Sequence, residues 1–147
     1  MFRIKEAGAE VLLVHPGGPF FRKKDAGAWT IPKGEVMEGE DLLVRAKLEL
    51  REELGIEPGS RDWIELGTVK QKGGKTVHAW AFEEDLPQNF VLRSNTFTME
   101  WPPRSGRTHD FPEIDRAEFF SVETAKEKIN PAQIELIDRL IAILEQR

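Results

Sequence analysis

The sequence has no cysteine among its 147 residues. That absence removes disulfides, thiolate zinc sites and a cysteine nucleophile together. Long hydrophobic runs are missing too: the N-terminal region holds one short apolar stretch, "VLLV" at residues 11–14, flanked by charge and glycine. Nothing approaches the roughly 18 consecutive apolar residues of a membrane span, so neither a signal peptide nor a span is expected and the default location is the cytoplasm. Basic residues are outnumbered, 21 Lys and Arg against 26 Asp and Glu, for a net charge of −5. An acidic chain is a poor coat for extended nucleic acid, whereas a small anionic ligand remains compatible where positive charge or a metal is concentrated locally. The three histidines, His15, His78 and His109, lack ligand spacing, and no serine stands in a nucleophile elbow. A covalent mechanism is therefore not expected.

What is present reads as one domain, residues 1–147, long enough to bury about two thirds of its unfolded surface. Residues 9–15, "AEVLLVH", predict a buried strand closed by "PGG". Residues 19–29 mix aromatic, basic and glycine residues as a surface loop or hairpin, and "WTIP" predicts a short strand before the glycine-containing loop "KGEVMEGED". From residue 41 to 54, Leu43, Ala46, Leu50 and Leu54 recur at helical spacing, with Asp41 at the start and Gly55 just past the end. Residues 63–71 and 76–84 predict a hairpin around "GGK", and residues 94–101 alternate as a further strand. "PPRSGRTHDFPEID" reads as loop, residues 117–122 as a last strand and residues 131–147 as an amphipathic helix with proline near its first turn. Mixed strands with two helices imply an α/β or α+β layered domain.

The first helix gathers Glu49, Glu52 and Glu53 within one turn. Like charges at i, i+3 and i+4 repel by a few tenths of a kcal/mol per pair when solvated and by more when partly buried. On a helical wheel this acidic patch borders the apolar stripe and does not lie on the face furthest into solvent. Clustered carboxylates beside a loop whose glycines, Gly34 and Gly39, let backbone carbonyls approach closely make a hard-oxygen site suited to Mg²⁺ or Mn²⁺. Such a cation would compensate the repulsion.

These residues carry a family resemblance. The Nudix box reads G, five residues, E, seven residues, then R-E-U-x-E-E-x-G-U with U a bulky aliphatic residue. This chain has Gly34, Glu40, Glu49, Leu50, Glu52, Glu53, Gly55 and Ile56 in register, and Leu48 at the arginine position. The preceding "GAWTIPKG" and the order of elements over most of the chain also resemble Nudix hydrolases, which implies their α/β/α sandwich with a mixed sheet. The resemblance implies divalent-metal-dependent hydrolysis of a phosphoanhydride bond in a nucleoside diphosphate linked to another group. It makes Glu52 and Glu53 metal ligands, Glu49 a ligand or general base, the carbonyl of Lys33 a further contact, and Gly34, Glu40 and Gly55 structural. A further acidic ligand usually lies outside the box, and "HDFPEID" offers Asp110, Glu113 and Asp115, of which Glu113 is preferred.

Leucine at position 48 cannot hold a neighbouring carboxylate as arginine would. Arg45, four residues before Glu49, is placed to do so from the previous turn. Positive charge concentrated at Arg22, Lys23, Lys24, Lys33, Arg104 and Arg107 suits phosphate binding where these loops meet the helix. Arg22, Lys24, Lys33 and Arg104 are the candidates, with Trp29, Trp80, Trp101, Phe20 and Phe21 available to stack on a base. "WTIPKG" resembles members that act on dinucleoside polyphosphates or inositol pyrophosphates, while "SNTFTMEWPPRSGR" and "VHPGGPFF" resemble a bacterial subgroup of predicted NTP pyrophosphohydrolases. A nucleoside triphosphate or dinucleoside polyphosphate is the expected substrate class, and a homodimer is left open. The competing reading is a nucleotide-binding or regulatory module of the same fold that turns over poorly.

Overall fold

The computed structural model describes residues 1–32, 41–57 and 62–147. Its centre is the strand β2 (Gly8–Pro16), flanked antiparallel by β1 (Phe2–Lys5) and β7 (Ile114–Ser121). The run "VLLV" in β2 is buried throughout. Such a run, unlike an alternating one, needs cover on both faces of the sheet. Val11 and Leu13 point into a cluster with Ala125, Ile129, Ile137 and Leu140, contributed by or next to the helices α2 (Val122–Lys128) and α3 (Ile134–Glu145). Leu12 and Val14 point the opposite way, into a cluster with Leu50 and Leu54 of the helix α1 (Leu42–Leu54). Alternation of side chains along one strand thus places α1 on one face of the sheet and α2 and α3 on the other.

A hairpin of β3 (Ile64–Lys70) and β4 (Thr76–Ala81) adjoins this sheet. The backbone amide of Phe2 donates to Phe82, and that of Glu84 donates back to Phe2. A second hairpin, β5 (Thr96–Glu100) with β6 (Thr108–Pro112), forms a separate two-stranded ribbon. Helices and antiparallel strands are mixed as expected of an α+β layered domain. Among the described residues no helix is long and apolar enough to cross a membrane.

Several local expectations are corrected. The segment "WTIP" contributes only the bridge of Thr30 to Val14 and that of Trp29 to Ile129, not a strand. Residues 108–112, read as loop, pair with β5. Proline is tolerated there because Pro112 ends the edge strand of a two-stranded ribbon. β1 and α2 had no counterpart in the sequence reading. The final helix begins at Ile134, after a 3₁₀ turn over Pro131–Gln133.

Candidate metal and phosphate site

Local signals explain where α1 starts and stops. The Asp41 carboxylate accepts from the backbone amides of Leu43 and Val44, both at 3.0 Å, satisfying donors that the first turn leaves unpaired. At the other end Gly55 has φ 70°, and its amide donates to the carbonyl of Arg51 at 2.8 Å. A left-handed residue at that position is cheapest as glycine.

Between these limits α1 turns two acids inward. Glu49 is 6% exposed and Glu53 7%, alongside the core residues Leu50 and Leu54, while Glu52 is half-buried. An acidic helix face would ordinarily lie in solvent. Here burial is the main cause that pushes the Glu49 carboxyl above its ordinary range; the Arg45 guanidinium opposes that shift, and the charges of Glu52 and Glu113 add to it. Arg45 meets the Oε1 of Glu49 through one guanidinium nitrogen, an i, i+4 ion pair whose carboxylate side chain is 8% exposed.

Glu113 comes from a distant part of the chain, the junction between β6 and β7, and three backbone contacts hold that junction at the end of α1. Asn95 donates to the carbonyl of Glu52 at 3.2 Å, and its own carbonyl accepts from the amide of Glu113 at 2.8 Å. The Oγ of Ser94 accepts from Ile114 at 2.9 Å. From the other side the Gly17 amide donates to the carbonyl of Glu113 at 2.9 Å. No local pattern marked Asn95 or Gly17, because their roles exist only once residues far apart in sequence meet. The neighbouring acids are engaged elsewhere. Asp115 pairs with Nδ1 of the buried His15 at 2.7 Å, and Asp110 accepts from the hydroxyl of Thr98.

Nε2 of His15 donates to the carbonyl of Lys24 at 2.7 Å, which ties the basic loop to the end of β2. Phe20 in that loop, 60% exposed, meets Trp101 edge-on at 5.7 Å. Arg22 and Lys24 are exposed beside it. Arg104 lies at the tip of the β5–β6 ribbon with φ 61°, its amide bonded to Glu100 at 2.6 Å. The tip is about four strand steps, ~14 Å, from the Glu113 end of the ribbon. Of the aromatic candidates, Trp29 is core at 1% exposure, and Trp80 stacks on His78 at 4.2 Å. A mainly apolar cavity lies beside Ala46, Leu50, Trp63 and Trp80, and none of the described residues that line it is acidic. Lys33, Gly34, Gly39 and Glu40 lie outside the described residues.

The donor set fits a hard divalent cation in kind: carboxylate oxygens, with Glu49 and Glu53 withdrawn from water and a like-charge repulsion on Glu49 that Arg45 opposes. Among the described residues, no three acidic or His side chains already converge into a cation cage. Chemically the arrangement can concentrate positive charge and hold a carboxylate ready to take a proton from water.

The chain matches the family model of the NUDIX domain over residues 1–140. Among solved structures it is similar to an Ap4A hydrolase from C. elegans in a binary complex (22% identity, TM-score 0.70, covering 99% of this chain and 95% of that one). It is also similar to the NUDIX domain of NrtR from Shewanella oneidensis complexed with ADP ribose (16%, TM-score 0.65, covering 97% and 82%). A MutT protein from Methanosarcina mazei aligns at 19% identity with TM-score 0.59, covering 98% of this chain and 91% of that one. No curated protein matches the chain.

Proposed function

Because the chain belongs to the Nudix family of hydrolases, we propose that residues 1–147 act as one pyrophosphohydrolase domain. The reaction is Mg²⁺-dependent cleavage of a phosphoanhydride bond in a nucleoside diphosphate-linked substrate, a nucleoside triphosphate or a dinucleoside polyphosphate. The observation that carries this reading is the pair of buried carboxylates, Glu49 and Glu53, on one face of α1, with the charge of Glu113 reaching Glu49. Burying like charges is costly unless something offsets them, and the divalent cation that accompanies a polyphosphate would add to what Arg45 supplies.

Glu49, Glu52, Glu53, Glu113 and the carbonyl of Lys33 would hold Mg²⁺, or Mn²⁺ in its place. When bound, the cation neutralises charge on phosphate oxygens and acidifies water. Phosphoryl transfer otherwise asks a protein mainly for positioning and electrostatic stabilisation. Glu49 or Glu53 accepts the proton of the attacking water at a carboxylate oxygen. Lys24 and Arg22, on the loop tied to β2 by His15, and Lys33 bind phosphate oxygens. Arg104, out at the ribbon tip, serves the far end of a longer substrate. Gly34 and Glu40 keep the structural roles that the box assigns to their positions, and Gly55 ends the helix. The names of the similar structures, an Ap4A hydrolase and a domain complexed with ADP ribose, support a nucleotide-type ligand.

The test is a panel of nucleotides in H₂¹⁸O with product identification, for the wild type and Glu53→Gln. Label in one product is expected only with divalent metal, and Glu53→Gln should lose at least about 10²-fold in rate, the scale for misplacing a catalytic group. Equal turnover by Glu53→Gln would overturn the assignment. One observation favours a second reading: Leu48 stands where the box has arginine. Metal-independent nucleotide binding without turnover would establish that reading, a binding module.

A further inference from the structure

Resting on the hydrolase reading above, we propose that Arg45 is the positioning residue of this centre. It holds the Glu49 carboxylate from the preceding turn of α1, in place of an arginine at position 48. The ion pair from Arg45 to Oε1 of Glu49 follows the axis of one helix and joins two side chains of unequal exposure, 24% for the arginine and 8% for the glutamate. On an exposed helix such a pair orients little, since water competes for both partners. Here the carboxylate is withdrawn from water, so the one guanidinium nitrogen that meets Oε1 is a fixed partner, set in place by the planar guanidinium fork that carries it. Arg45 is one turn towards the N-terminus from Glu49. Glu52, later in the helix, and Glu113, across from it, press on Glu49 with like charge. A carboxylate pulled from one side and repelled from the others has one favoured orientation.

Leu48 contributes no charge, and its wheel position, about 100° from Glu49, suits contact with Glu52 one turn later and not with Glu49. The orienting function has therefore moved to a different carboxylate. Glu49 is held from the preceding turn, so metal affinity and turnover should depend on Arg45 through Glu49.

Outer partners of metal-binding carboxylates typically contribute 10–100-fold in affinity or activity. The experiment is a double-mutant cycle of Arg45→Gln and Glu49→Gln, read by Mn²⁺ affinity from EPR and by kcat and KM for a nucleoside triphosphate. Arg45→Gln should weaken Mn²⁺ binding and lower kcat by about 10–100-fold, with KM at saturating metal nearly constant, and should have no further effect once Glu49 is glutamine. Arg45→Lys, which keeps the charge and loses the fork, should fall between the wild type and Arg45→Gln, and it serves as the probe if Arg45→Gln does not fold. Unchanged or tighter Mn²⁺ binding by Arg45→Gln or Arg45→Lys would overturn the proposal, showing an arginine that competes with the cation or is idle. Equal losses with and without Glu49 would overturn it too. The coupling in Mn²⁺ affinity survives even if the wild type hydrolyses no nucleotide on the panel, so this proposal and the hydrolase reading fail separately.

Discussion

Replacing Gly17 with alanine would place a methyl group 2.0 Å from the carbonyl oxygen of Pro112. An ordinary carbon to carbonyl-oxygen approach is about 3.3 Å or more, so roughly 1.3 Å must be found. The obstacle is backbone and cannot rotate away. The backbone that has to move carries Glu113, because Pro112 precedes it and the Gly17 amide bonds its carbonyl. Overpacking of this kind costs about 1–3 kcal/mol. At about 2–4 °C per kcal/mol for a chain of this size, the melting temperature should drop by ~2–12 °C. The functional consequence should exceed the stability loss, since a 1 Å displacement at a catalytic centre costs on the order of 10²-fold in rate. Gly74→Ala is the control. It sits at φ 83° with nothing within 4 Å of the new methyl, so it should lose about 1–2 kcal/mol to left-handed strain and keep its rate per folded molecule. Thermal melts and metal-dependent hydrolysis of both variants decide the matter. A Gly17→Ala protein that melts with the wild type and turns over at the same rate would refute the packing of Gly17 on Pro112 and the placement of Glu113.

Two further outcomes follow from the same geometry. The native state favours protonated Glu49, chiefly through burial, so between the ordinary glutamate pKa and the raised one the folded chain binds more protons than the unfolded chain. That contribution is fully present below the unfolded value and is lost as pH rises through the folded value. In metal-free buffer Glu49→Gln should therefore melt above the wild type at neutral pH, with the gap closing below about pH 4 and reversing when Mn²⁺ is added; a gap that does not change with pH would contradict it. Gln133, fully buried, accepts from the amide of Ile31 at 3.0 Å and donates to Gln71 at 2.6 Å. Gln133→Leu leaves that amide without its partner and should cost about 1–3 kcal/mol, with faster hydrogen exchange at Ile31; unaltered exchange would count against the role of Gln133.

Sequence reasoning succeeded where the cause of a structure is local. Both ends of α1 were legible because Asp41 and Gly55 act on amides and carbonyls within one turn. β2 was legible because four consecutive apolar residues need cover on both faces. The Arg45 to Glu49 contact was legible because helical spacing alone puts them side by side. It failed where pairing is long-range. β1 is only "FRIK", whose identity as a strand comes from lying against β2, and β6 holds a proline that argues for loop until β5 is beside it. α2 buries one residue, Ala125, too few to show a period, and its start depends on the Ser121 hydroxyl capping Thr124.

The chain by itself determined the acidic helix, its limits, the family to which it belongs and the kind of atom its centre offers a ligand, because residue type and spacing along one helix fix all of these. The tertiary structure decided the burial of Glu49 and Glu53, and it brought Glu113 into electrostatic reach of Glu49 while engaging Asp110 with Thr98 and Asp115 with His15. It also sent Trp29 to the core and Phe20 to the surface. The physical reason is that burial and electrostatic reach depend on distances between segments up to a hundred residues apart, and those distances exist only after the sheet has closed around β2.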